Sequence, residues 1–202
     1  MNTLKFTAFT VILLTASAVL FADEGDRGIK PYVALGLTIP QGDARDLTQN
    51  SVAINNWSAE AGFEFFSTIA NIHFRPNVGM AKMDGEPKPE TWPYNTYKML
   101  AWYVGFDLVY KNPKGWPVIL STGPSFHVWN VEEAHTLATR AYGPQDLRLG
   151  WRGAVNYEIT EKWGAELSYS LSEWRTVQGQ PHQPGLNPSR PVWFTLKAVY
   201  KF

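Results

Sequence analysis

The last eleven residues constrain this chain most. They read Val192-Trp193-Phe194-Thr195-Leu196-Lys197-Ala198-Val199-Tyr200-Lys201-Phe202. Every second one, from Val192 to Phe202, is apolar, and Thr195, Lys197 and Lys201 fall on alternate positions. A strand turns its side chain over at each residue, so this segment has one greasy face and one mixed face. Left at a sheet edge in water, such a strand is a template for aggregation, so it must be paired. In lipid, a closed sheet satisfies its backbone and leaves the greasy face against hydrocarbon.

The same alternation recurs upstream. Period-two segments fall at about 29–39, 57–67, 69–82, 97–110, 116–129, 146–158, 163–172 and 191–202. Each can cross a thin bilayer at a tilt, which takes roughly 9–11 residues. The connections alternate in length. Those at 40–56, 83–96, 130–145 and 173–190 are long and rich in turn-formers, whereas those around Thr68, at 111–115 and at 159–162 are short. An even number of strands with alternating long and short connections predicts an eight-stranded antiparallel up-and-down transmembrane β-barrel. Its termini and short turns face the periplasm and its long loops face outside.

Face by face, the pattern predicts which side meets lipid. Val33, Leu35 and Leu37, Phe63 and Phe65, Trp102, Val104 and Phe106, and Leu167, Tyr169 and Leu171 fall on a face without charge inside the strand cores. The opposite face carries Glu60, Glu64, His73, Arg75, Asp107, Arg148, Arg152, Glu158, Glu166, Lys197 and Lys201, and most strand glycines. That sense is the reverse of a soluble barrel with an apolar ligand cavity. An eight-stranded lumen is only wide enough for side chains, and an unpaired buried charge is costly, so these groups are expected to pair. Hairpin geometry predicts Glu64 opposite or near His73 with Arg75 diagonal, and Asn156 facing Glu166 with Arg152 in reach. The result is a salt-bridged plug, or alternatively a gated narrow channel.

The beginning of the chain predicts export. Lys5 precedes an apolar stretch from Phe6 to Leu14, and small residues allow cleavage after Ala18 or Ala22. The expected division is a signal peptide over 1–22 and one barrel domain over 23–202. Nine tryptophans and nine tyrosines suit interfacial girdles. Zero cysteines exclude disulfides and thiolate chemistry. Without Lys5, the 18 basic residues become 17 against 18 acidic ones, so nothing points to nucleic acid.

At this point the chain resembles the small outer-membrane barrels of the OmpX and OmpA-barrel type. The stretch from Leu149 through Tyr169 carries the likeness, with Thr160-Glu161-Lys162-Trp163 as its tight turn. The ending on Phe202, with Tyr200 two residues earlier, is similar to the C-terminal assembly signal of bacterial outer-membrane barrels, although Lys197 stands where that signal often has glycine. The resemblance implies a Gram-negative outer-membrane location. It also implies contact with outer-membrane lipids and lipopolysaccharide, and recognition of Tyr200 and Phe202 by the barrel-assembly machinery. It identifies an architecture and no single activity, because the group contains scaffolds, adhesins, resistance factors and a few enzymes.

Enzyme chemistry finds little support. Lipid A 3-O-deacylases carry His-x-Ser-Asn on a late strand and an Asn-Pro loop before the last. This chain has Gly185-Leu186-Asn187-Pro188 but reads Tyr169-Ser170-Leu171-Ser172-Glu173 at the strand, without the histidine. A serine without a base is a weak nucleophile. Ser125 and His127 share a face, but on the lumen side. The stretch from Asp23 to Lys30 is too short and polar for the opening helix of a lipid A palmitoyltransferase. His73, His127, His135 and His182 are scattered, and Glu132-Glu133-Ala134-His135 reads as a solvated loop, so neither a metal nor a cofactor is expected. The loops remain as functional surface. Trp92, Tyr94 and several prolines stiffen the second, and Pro181, Pro184 and Pro188 stiffen the fourth. The sequence therefore predicts a non-enzymatic surface scaffold whose loops serve attachment or envelope integrity, with an extracellular ligand as a possible partner. A porin-like channel and a deacylase-like hydrolase are the alternatives.

Overall fold

The computed structural model describes residues 29–42, 44, 56–65, 71–84, 96–135, 138–142, 147–173 and 190–202. Their strands are β1 (Ile29–Gln41), β2 (Trp57–Phe65), β3 (Ile72–Asp84), β4 (Thr96–Lys111), β5 (Val118–His135), β6 (Ala138–Tyr142), β7 (Arg148–Glu158), β8 (Trp163–Leu171) and β9 (Val192–Lys201). All pairings are antiparallel, in the order β4-β3-β2-β1-β9-β8-β7-β5, and β4 pairs with β5 to join the two ends. The chain is thus an eight-stranded closed barrel, with β6 as an appendage on the outer part of β5. The expected signal peptide over 1–22 and the proline-rich parts of the second and fourth loops lie outside the described residues.

One expectation is corrected here. The sequence predicts a loop over 130–145, but β5 continues to His135 beside β4, and β6 folds back along it. Backbone pairing with β4 runs as far as Thr96–Ala134 and carries the sheet past the point where the alternation fades.

The turns explain themselves locally. Between β4 and β5, Asn112 accepts from the Lys114 amide through Oδ1 (2.8 Å) and from the Gly115 amide through its carbonyl (3.1 Å). Gly115 completes this turn at φ 71°, a left-handed conformation that glycine adopts without strain. Between β7 and β8, Thr160 Oγ1 accepts from the amides of Trp163 (2.9 Å) and Lys162 (3.3 Å). Four prolines sit inside strands, Pro31 and Pro40 near the ends of β1, Pro76 in β3 and Pro124 in β5. Pro76 and Pro124 lack an N–H, and each lies in a gap of the paired residues, between Gly62–Asn77 and Phe65–Phe74 and between Gly105–Ser125 and Leu108–Thr122.

The outer wall is apolar. Leu35, at the middle of β1, is 66% exposed, and Val104, Leu120, Leu149 and Leu196 are exposed with it. Aromatic residues bound this belt at both ends. Trp163, Tyr200 and Phe202 cluster at the short-turn end, with centroids at 4.9 and 5.2 Å, and Tyr169 meets Phe194 at 5.0 Å nearer the long loops. Lys82 and Lys98 share the outward face, but only at the loop ends of β3 and β4, beyond the apolar belt.

Candidate functional site: the filled lumen

Inward positions build two stacked layers. The first begins at the short-turn end and reaches mid-barrel. Glu60 of β2 is its hub. Tyr32 donates to Glu60 Oε1 (2.7 Å), and Tyr103 donates to Oε2 (2.7 Å). Arg152 Nη1 and Lys197 Nζ reach the same Oε2 at 2.8 and 2.5 Å. Glu166 of β8 takes Arg152 Nη2 (2.5 Å), Lys197 (3.1 Å) and Arg75 Nη1 (3.4 Å). Arg75 also pairs with Glu64 (3.0 Å) and lies 5.1 Å from the centre of the Tyr32 ring. Asp107 is held more loosely, 3.5 Å from Arg152 and 3.3 Å from the Asn77 amide.

Toward the short turns, Lys111 joins Glu64 (2.6 Å) to Glu158 (3.5 Å), and Lys201 closes on Glu158 (2.5 Å). Among the described residues, these ion pairs set Glu60, Glu64, Asp107, Glu158 and Glu166 against Arg75, Lys111, Arg152, Lys197 and Lys201, five charges against five. Each arginine bridges two carboxylates through its two terminal nitrogens, and such shared, charge-assisted contacts help buried charges offset their lost hydration.

The register corrects one predicted pairing. Gly62–Asn77 and Phe65–Phe74 place Arg75 level with Glu64, with His73 one step nearer the turn. The diagonal partner is the direct one, because the hairpin is two residues out of the expected alignment. Asn156 does face Glu166, and Arg152 does reach it. Arg148 faces inward at the loop end of β7, level with His127. Tyr200 points outward and Phe202 follows β9, where its amide donates to the Pro31 carbonyl (3.1 Å).

The second layer closes the loop end and is apolar. Met83, Met99, Trp129, Val131 and Trp193 are buried together with Ala44, Ala81 and Ala101. The two indoles meet edge to face at 5.6 Å, and Trp129 Nε1 donates to Ser172 Oγ (3.2 Å). His127 lies beneath, 5.4 Å from Trp193, 6.2 Å from Trp129 and 5.8 Å from Tyr103. Sequence reasoning missed this cap because it read the inward face as polar throughout. The available signal was that Trp129, Val131 and Trp193 share inward parity with His127 and Lys197.

The enzymatic candidates fall inside the same lumen. Ser125, Ser170 and Ser172 all face inward and are buried, and neither Ser125 Oγ nor His127 Nδ1 has a hydrogen-bond partner among the described residues. No serine–histidine pair forms through those atoms, and nucleophile activation needs one.

Neither protein-family models nor curated protein sequences match this chain. Solved structures do match it in fold. Neisserial surface protein A aligns with 87% of this chain and 97% of its own, at 12% identity and a TM-score of 0.52. Ail, the attachment invasion locus protein of Yersinia pestis, aligns over 86% and 97%, at 9% identity and a TM-score of 0.54. A major outer membrane protein from Thermus thermophilus aligns over 86% and 99%, at 13% identity and a TM-score of 0.53. At these identities the likeness establishes the shared barrel fold.

Proposed function

We propose that the protein is a non-conducting, non-enzymatic scaffold of the bacterial outer membrane that holds its long loops at the cell surface. One observation carries the reading: the lumen is filled twice, by a charge-neutral ion network and by an aromatic cap over it. Eight strands leave little bore to begin with, and these side chains occupy it. The apolar belt with its aromatic margins suits lipid on the outside, with lipopolysaccharide around the loop end. Export through a signal peptide over 1–22 and delivery by the barrel-assembly machinery through Tyr200 and Phe202 belong to the same reading.

Function is then left to the outer end, where β3, β4, β5 and β6 extend the sheet beyond the shorter β2 and β8. A rigid wall lets loops bind with little loss of ordering entropy. Ail, which has this fold, is an attachment invasion locus protein, and attachment is the role this geometry serves here.

The test is planar-bilayer recording of the folded protein, with retarded or advanced gel migration before boiling as proof of folding. A silent bilayer containing folded protein is expected. Discrete conductance steps that change on Glu60→Gln would overturn the scaffold reading in favour of a narrow channel.

A further inference from the structure

Two short turns stand side by side on the barrel, because β5 pairs with β7 and the Glu158 amide donates to the Pro117 carbonyl at 2.8 Å. Their shared outer surface is aromatic and open. Trp116 is 62% exposed, Ile159 61%, Trp163 52% and Tyr157 51%. Each turn carries one exposed lysine, Lys114 in the β4–β5 turn and Lys162 in the β7–β8 turn. Two other lysines at this end are committed inward, Lys111 to Glu64 and Lys201 to Glu158. Lys114 has no acidic residue in its own turn, and Glu161 is the single exposed acid of the two turns.

Aromatic side chains at this depth lie along the upper acyl chains, and lysines just beyond them reach phosphate groups. We propose that this bracket is a binding site for an anionic phospholipid of the periplasmic leaflet. Its phosphate lies between Lys114 and Lys162, and its chains lie against Trp116, Tyr157, Ile159 and Trp163. Charge selects the lipid, because a zwitterionic headgroup presents its own cation to the lysines. The inference rests on the membrane-spanning reading above.

The experiment is native mass spectrometry of the protein released from bilayers of phosphatidylcholine and phosphatidylglycerol in equal amounts. Wild-type protein is expected to retain phosphatidylglycerol over phosphatidylcholine by about fivefold or more, the factor one well-placed lysine contributes near a membrane surface. Lys114→Gln with Lys162→Gln is expected to bring the ratio to within about twofold of unity, while Lys98→Gln, at the loop end of β4, leaves it unchanged. Equal retention by wild type, or full preference in the double variant, overturns the site. So does loss of preference in Lys98→Gln. Should the double variant not fold, wild-type protein still decides the matter. Its preference must fall in high salt, and a preference indifferent to salt refutes the charge mechanism. The two readings fail differently. A protein that inserts into pure phosphatidylcholine and shows the heat shift, but ignores headgroup charge, loses this site alone. One that inserts into no bilayer loses the membrane reading itself.

Discussion

Replacing Arg152 with methionine removes the most widely shared cation in the lumen while keeping most of its volume. Arg152 touches Glu60 at 2.8 Å, Glu166 at 2.5 Å and Asp107 at 3.5 Å. The variant would leave five carboxylates facing four cations. Removing one member of a buried ion network costs about 3–5 kcal/mol, because the partner charges remain buried. The low end applies here, about 3 kcal/mol, because Lys197 stays at 2.5 Å from Glu60 and 3.1 Å from Glu166. Asp107 suffers most, since what it keeps is the Asn77 amide at 3.3 Å.

The neutral reference is Arg152→Met combined with Glu166→Gln, which restores balance at four against four. If charge balance sets the cost, the second substitution rescues the first, with a coupling of about 2 kcal/mol. The assay is urea unfolding in lipid vesicles at pH 7, followed by gel shift, with slopes compared so that only stability is read. The reasoning is wrong if Arg152→Met lies within about 0.5 kcal/mol of wild type, or if the two substitutions destabilise additively.

Three further outcomes are expected. Leu35→Arg places a charge on the lipid face at the centre of β1 and should cost about 2–4 kcal/mol in the same assay, whereas an arginine at the loop end of that face should cost far less. Gly79→Ala would bring a methyl to 2.5 Å from the Tyr103 hydroxyl and 2.6 Å from the Ala59 carbonyl. It should displace Tyr103 from Glu60 and lower stability by about 1–3 kcal/mol, a loss that shrinks in a Tyr103→Phe background by the share due to that hydrogen bond and keeps the share due to the Ala59 carbonyl. Trp129→Ala removes a fully buried indole from the outer cap and should cost about 3–5 kcal/mol. Even so, the variant should stay electrically silent, because the ion network beneath remains closed, and open-channel steps would contradict that.

How much of this was readable in the sequence follows from what period two can carry. Alternation reports the face of a residue, and it sorted Leu35, Val104 and Leu196 outward and Glu60, Arg152 and Lys197 inward without any structure. It fails where both faces are apolar. From Val128 through Val131 the chain runs Val-Trp-Asn-Val, so the inward Trp129 and Val131 merge with the outward Val128 and the period disappears. The strand pattern ends there because its lumen side has turned greasy. The cap and the extension of β5 were therefore missed together, and for one reason.

The misjudged pairing of Glu64 has a different cause. A slip of one residue between strands would have moved Glu64 into lipid, and the sequence pattern forbids that. A slip of two residues leaves every face unchanged and alters only the partners. Register is then fixed by the turn and by the pairs themselves. Here Pro76 leaves a gap in the ladder beside Glu64, and the backbone pairs on either side of it, Gly62–Asn77 and Phe65–Phe74, hold one alignment across the gap. Charge favours the same alignment. Arg75 at 3.0 Å neutralises Glu64 and also reaches Glu166 at 3.4 Å. The backbone pairs and the ion network thus agree on a register that period two alone leaves open. That is a reason for an eight-stranded barrel to hold charges inside even where an apolar filling would pack as well.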